Sequence, residues 1–236
     1  MPLVSRAELG ESPLWPTLAV LTAASLYATL PTKFVAGSAG AGVYTVVRWL
    51  VPALTVLLLA PLVLSVPHAR VLRSAQERVA ALKLSRRIAS LAVLALVTAA
   101  NAASIILLVH FLVAGAHTNA RLLLKAGIHM WCMNVLVFGL WFWQLDGGGP
   151  MSRHLGRDAA GARDFLFPQQ AEPDAGDRWQ PTFIDYLYVS YTNATAFSPT
   201  DAMPLSKWAK LLMLVQSAAS LLLAIMVVAR AVNILK

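Results

Sequence analysis

The chain has 236 residues, 58% of them hydrophobic and 13% charged, with a mean hydropathy of +0.65. This composition reads as an integral membrane protein and excludes a large soluble domain, since the longest polar interval is under forty residues. The net charge of +8 marks loops facing anionic lipid and the cytoplasm, so no nucleic-acid partner is expected.

Arg6 is followed by Glu8 and Glu11, a poor signal-peptide n-region, so the N-terminus is expected to be retained. The lone Cys132 lies inside an apolar run and rules out an intrachain disulfide. Ser12-Pro13 is a helix-start signal, and Leu14 to Leu30 is the first predicted span, closed by Pro31 and Lys33. VAGSAGAGVY follows, with Gly37, Gly40 and Gly42. No strand precedes it, so close packing of small residues between helices is favoured over a phosphate loop. The second span runs from about Val43 to Ser65, with Arg48 near its start, where it can snorkel to the interface.

Residues 66–87 carry six basic residues, Arg70, Arg73, Arg78, Lys83, Arg86 and Arg87, against the single acid Glu77. Val71, Val79, Leu82 and Leu84 are spaced like a moderately amphipathic helix, whose function would be contact with lipid headgroups or a regulator. The plainer alternative, which the charge excess favours, is a cytoplasmic loop obeying the positive-inside rule. The third span, about Ile88 to Val113, holds Asn101, Ser104 and His110. Asn101 at mid-span would bond across helices or line a path. His110 has the pKa range of a proton relay, but its place near the helix end favours an interfacial, solvated histidine. His117 and His129 add no metal-ligand spacing.

The fourth span runs from about Leu122 to Leu145, with Arg121 and Lys125 at its start and Asn134 inside it. Trp141, Trp143 and Asp146 read as an interfacial belt and an exit, and GGGP at 147–150 breaks the chain. Residues 147–182 form the one real extramembrane loop, with charges of both signs and an apolar island, FLFP, at 165–168. That island is expected to pack on the membrane surface or a neighbouring helix.

Phe183 to Lys236 then read as a short aromatic helix over 184–194, a polar loop ending at Pro199 and Asp201, and an apolar run of more than twenty residues from Leu211. That is the layout of a re-entrant segment, because non-helical backbone at membrane depth must be buried in protein or line a wet cavity. Asp185 and the hydroxyls of 190–200 make a lipid-exposed crossing expensive and favour the re-entrant layout. A full crossing would put both the 66–87 segment and the 147–182 loop in the cytoplasm and so obey the charge rule. Tyr186, Tyr188 and Tyr191 are expected as packing and interface anchors. Gln216 and Ser217 are polar positions inside the last run.

Thr195, Ala196, Phe197, Ser198, Pro199, Thr200 and Asp201 occupy, without gaps, the T-T-V-G-Y-G-D places of a potassium-channel filter. Pro204, Ser206 and Trp208 stand where that pattern has its proline, hydroxyl and aromatic. The segment thus resembles the pore domain of potassium-channel-type proteins over about fifty residues. Together, FLFP, D-Y-L-Y-x-S at 185–190 and A-F-S-P-T-D at 196–201 also resemble a bacterial integral-membrane family with a pore-like C-terminus. The filter differs in substance. Ser198 and Thr200 replace the glycines whose backbone freedom a carbonyl ladder uses. Pro199 fixes its own φ and pushes Ser198 towards extended backbone. If the loop conducts, selectivity would come from the hydroxyls of Thr195, Ser198 and Thr200 and a carboxylate ring at Asp201.

The fold class expected is all-α: a polytopic membrane protein with about five transmembrane helices plus a re-entrant pore-type helix. Residues 14–145 form a four-helix transmembrane region, 146–182 a loop, and 183–236 the pore-like part. The resemblance implies an ion-channel-like protein of the cell membrane, assembled as a homotetramer and passing a monovalent cation. The alternative is a non-conducting scaffold or accessory subunit that binds a partner through 147–182 and 66–87. A third class is a small-solute or proton transporter with Asn101, His110, Asn134 and Gln216 as its intramembrane polar path. No Ser/His/Asp arrangement, metal cluster or Walker loop is present, so neither enzyme activity nor a cofactor or metal is expected.

Overall fold

A computed structural model describes residues 14–31, 34, 46, 48–57, 76–114, 120–150, 153, 163–171, 179–195 and 202–235. Of residues 76–86, 120, 230–231 and 233–235 it describes the backbone alone. Of the described residues, 86% are helical. The helices are α1 (Leu14–Ala28), α2 (Arg48–Leu57), α3 (Gln76–Val113), α4 (Ala120–Leu145), α5 (Pro168–Ala171), α6 (Phe183–Ala194) and α7 (Lys207–Leu235). Three of them, over 87–113, 121–148 and 207–229, are long and apolar enough to cross a membrane, while α1 and α2 are shorter apolar helices.

Local chemistry explains the boundaries. Pro16 sits in the first turn of α1, where a missing N–H costs nothing. The C-terminal turn of α1 closes with Thr29 and Leu30 bonding back to Ser25 and Tyr27, just before Pro31. At the start of α6 the Asp185 carboxylate accepts from the N–H (2.7 Å) and hydroxyl (2.8 Å) of Thr182. This carboxylate also opposes the positive end of the helix dipole. α4 ends in a short 3-10 turn, Asp146–Gly148. Gly147, Gly148 and Gly149 there all have positive φ (58°, 78° and 101°), a conformation residues with a Cβ rarely adopt.

α4 is the hub, and α1, α3, α6 and α7 all pack on it. All four run opposite to it. Near the end of α4, Ser90 of α3 bonds Gln144 (2.8 Å), Thr98 bonds Trp141 (2.8 Å), and the rings of Phe183 and Trp143 meet at 6.2 Å. There Ala209 of α7 joins Phe138 and Phe142 in one cluster. Near the start of α4, Leu123, Ala126 and Met130 pack with Tyr27, Leu30 and Phe34, with Leu108 of α3, and with Leu223 and Val227 of α7. So α6 and α7 both begin beside the end of α4. After α6 the chain comes back to that same end, where Met203 and Pro204 (β2) pair antiparallel with Leu166 and Phe165 (β1).

Some expected boundaries move. The apolar stretch at 87–113 agrees with the third predicted span, about Ile88 to Val113, but its helix begins earlier, at Gln76, so Arg78, Lys83, Arg86 and Arg87 lie on helix and not in a loop. The last begins at Lys207, four residues ahead of its apolar run. Of the second predicted span, 46 and 48–57 are described and are helical; the rest lies outside the described residues. FLFP packs inward: Phe165 and Phe167 are buried against Phe142, Tyr186 and Trp179.

Candidate functional site

Two polar nodes hold α6, one at each end. The first is Asp146, a residue only 2% exposed. Its Oδ1 accepts from the N–H of Asp164 (2.7 Å) and of Phe165 (3.1 Å), and its Oδ2 accepts from the Tyr186 hydroxyl of α6. Arg153 donates from Nη1 to the carbonyls of Trp143 (2.9 Å) and Asp146 (2.6 Å). Its guanidinium lies 5.0 Å over the Tyr186 ring, a cation–π contact. Asp146 was expected as an interfacial exit; it is instead a buried joint tying the end of α4 to β1 and α6. A buried carboxylate is tolerated because each oxygen is hydrogen-bonded and a cation stands close by.

The second node joins α4, α6 and α7. Gln216 of α7 donates from Nε2 to the carbonyl (2.9 Å) and hydroxyl (2.7 Å) of Ser190. Its Oε1 accepts from Asn193 Nδ2 (2.8 Å), which also donates to the Met213 carbonyl (2.9 Å). The Ser190 hydroxyl itself donates to the Val135 carbonyl (2.6 Å). Asn134 donates to Ser220 Oγ (2.8 Å) and the Gln216 carbonyl (3.3 Å), and Ser217 donates to Asn193 Oδ1 (3.0 Å). Gln216 and Ser190 are fully buried. The amide hydrogens of Asn134, Asn193 and Gln216 are all used, so the network is a closed clamp that leaves none of them for a passing solute.

The clamp sits well inside both long helices. Asn134 is eleven residues before the end of α4, about 16 Å along it, and Gln216 is nine residues into α7, about 14 Å. Half of a hydrocarbon core is about 15 Å. α6 is 12 residues, about 18 Å, so it stops near that level.

Of the four predicted path residues, Asn134 and Gln216 meet in the clamp, and Asn101 and His110 do not. Asn101 is buried on α3, and its Oδ1 has no hydrogen-bond partner among the described residues. His110 is exposed at the end of α3, 5.9 Å from the Phe111 ring. Of the filter-like loop, Thr195 is half-buried and donates to the carbonyls of Tyr191 (3.1 Å) and Thr192 (3.0 Å). Ala196, Phe197, Ser198, Pro199, Thr200 and Asp201 lie outside the described residues, as do Arg70 and Arg73. Arg87 is exposed near the start of the third span.

Sequence reasoning did not single out Asp146, Ser190 or Asn193 as joints. A faint signal was present: three consecutive glycines after Asp146, and hydroxyl and amide residues at 190 and 193, one helical turn apart. No protein-family model, curated protein or solved structure matches this chain.

Proposed function

We propose that this chain is a multi-pass cell-membrane protein with a pore-loop layout: five spans, with α6 as a re-entrant half-helix. In this reading α6 presents residues 195–201 at mid-depth to an axis shared by four copies, and a monovalent cation passes there. The observation that carries it is the pairing of α6 with α7. Both begin beside the end of α4, and α6 stops at half-height with its last turns clamped by Gln216. A polar half-helix of this length suits a wet or protein-lined space at membrane depth and not a lipid-exposed crossing. The C-terminal end of its dipole favours a cation beyond Thr195.

The test is particle symmetry of the full chain in nanodiscs together with bilayer recording. A fourfold ring with 195–201 around the axis and cation-selective current is the expected result. A monomer, or a ring whose axis avoids 195–201, would overturn conduction.

The second reading is a non-conducting scaffold that keeps the same layout. Two observations favour it: Pro199 and the absent glycines of the loop, and a clamp whose amide hydrogens are all consumed. A stoichiometric partner that co-purifies with a silent, non-symmetric particle is its signature.

A further inference from the structure

We propose that the cleft between the last turn of α4 and the first turn of α7 is a phospholipid site selecting an ethanolamine headgroup. The cleft has a volume of about 460 Å³ and is half open, within the range of small-molecule sites. Trp141 and Leu145 form one wall, Trp208 and Leu212 the other, and Asp164 stands among the lining residues.

The space exists because Ala209, a small side chain, lies between Trp208 and Leu212 on the cleft face of α7. Trp141 is fixed beside it, since its Nε1–H is bonded to Thr98 Oγ1 (2.8 Å). Asp164 is set in place by its backbone. Its N–H donates to Asp146 Oδ1 (2.7 Å) and its carbonyl accepts from Leu205 N–H (2.8 Å). Nothing among the described residues pairs with its carboxylate. Lys207 and Lys210 do not line the cleft; at 100° per residue they project away from the side that carries Trp208, Ala209 and Leu212.

The polarity therefore runs one way. Asp164 and the two tryptophans are the lining residues whose side chains attract a cation. The remaining walls are apolar. The tryptophans lie at the ends of two long apolar helices, the depth at which indoles sit beside headgroups. An amphiphile with a protonated amine at its head and an acyl chain behind it matches this order, and a phospholipid of the adjacent leaflet supplies both. The site rests on α4 and α7 crossing a bilayer and is independent of conduction.

The experiment uses the full chain in vesicles of phosphatidylglycerol. The probes are acyl-brominated phosphatidylethanolamine and acyl-brominated phosphatidylglycerol, which quench indole fluorescence on contact. Comparison with Trp208→Phe isolates the cleft signal. The ethanolamine lipid is expected to quench at roughly two- to fivefold lower mole fraction, the selectivity of an amine held at a partly solvated rim. Asp164→Asn is expected to abolish that preference while leaving thermal unfolding unchanged, because the backbone of residue 164 makes its structural bonds. Equal quenching by the two lipids, or a preference that survives Asp164→Asn, would overturn the site. Failure of the chain to float with vesicles would overturn the membrane placement and the site with it.

Discussion

Gln216 on α7 and Ser190 on α6 are joined twice, through the Ser190 carbonyl at 2.9 Å and its hydroxyl at 2.7 Å. Gln216→Leu keeps the volume and removes both bonds, and it also strands the Asn193 donor that faces Oε1. Each buried group left without a partner costs about 1–3 kcal/mol, and interhelical bonds in bilayers are worth about 0.6–2. A loss of about 2 kcal/mol is expected in detergent-titrated unfolding, with faster amide exchange over 183–194. Exchange in α6 equal to that of the unaltered protein would show that the clamp does not hold it.

Tyr186→Phe removes the phenol that donates to Asp146 and leaves the ring packing intact. The carboxylate keeps its two backbone donors, so the cost is that of one charge-assisted bond, about 1.5–3 kcal/mol. Asp146→Ala takes away all three contacts at once and is expected to lower the midpoint further. Equal midpoints for the two variants in thermal unfolding would contradict this ranking.

Asn101 and Asn134 are both buried on long apolar helices, and they should respond oppositely to leucine. Asn101 Oδ1 has no partner among the described residues, so Asn101→Leu removes a buried unpaired group and is expected to be neutral or stabilising by about 1 kcal/mol. Asn134→Leu breaks the bonds to Gln216 and Ser220 and is expected to cost about 1–3 kcal/mol. Unfolding midpoints of the two single variants decide it. A transport or conduction defect in Asn101→Leu at unchanged stability would assign Asn101 to a path.

Gly127 faces the branched side chain of Val227, which a Cβ would approach to 2.8 Å. Gly127→Ala is expected to cost about 1–3 kcal/mol through overpacking of α4 on α7. Val227→Ala in the same chain makes room, so the double variant should recover about 0.5–2 kcal/mol of coupling. Strict additivity in the unfolding data would mean that the two helices do not press together there.

Asp201→Asn tests the pore proposal at its one loop carboxylate. If four copies ring an axis, removing four charges lowers cation conductance several-fold, most strongly at low salt, where screening is weakest. Unchanged single-channel current at low ionic strength would take Asp201 out of the pathway.

Much of the helical plan was legible because long apolar runs and chain breakers leave strong marks. Leu145 and the glycines after Asp146 closed α4 as expected, Pro31 follows the end of α1, and the short helix was placed within one residue of Phe183. The third span, about Ile88 to Val113, agrees with the apolar stretch at 87–113, while the helix itself reaches back to Gln76 through residues of amphipathic spacing. Helix rotation was not legible. Tyr186, Tyr188 and Tyr191 looked alike in sequence, yet Tyr186 is fully buried while the other two are exposed. Which polar residue meets which depends on helix phase, and the clamp appears only once α4, α6 and α7 are set side by side. Asp146 was read as an exit because charge at a span end usually faces water; here the turn folds residues 164 and 165 back over it.

The clamp also orders events during synthesis. Gln216 emerges 23 residues after Asn193 and 26 after Ser190, the two α6 residues it holds. At about 5–20 residues per second, the polar face of α6 waits on the order of seconds for its partner. Until α7 arrives, those groups face the insertion machinery, water or lipid. The hold on Ser190 and Asn193 is therefore made only once the helix that carries Gln216 has been synthesised.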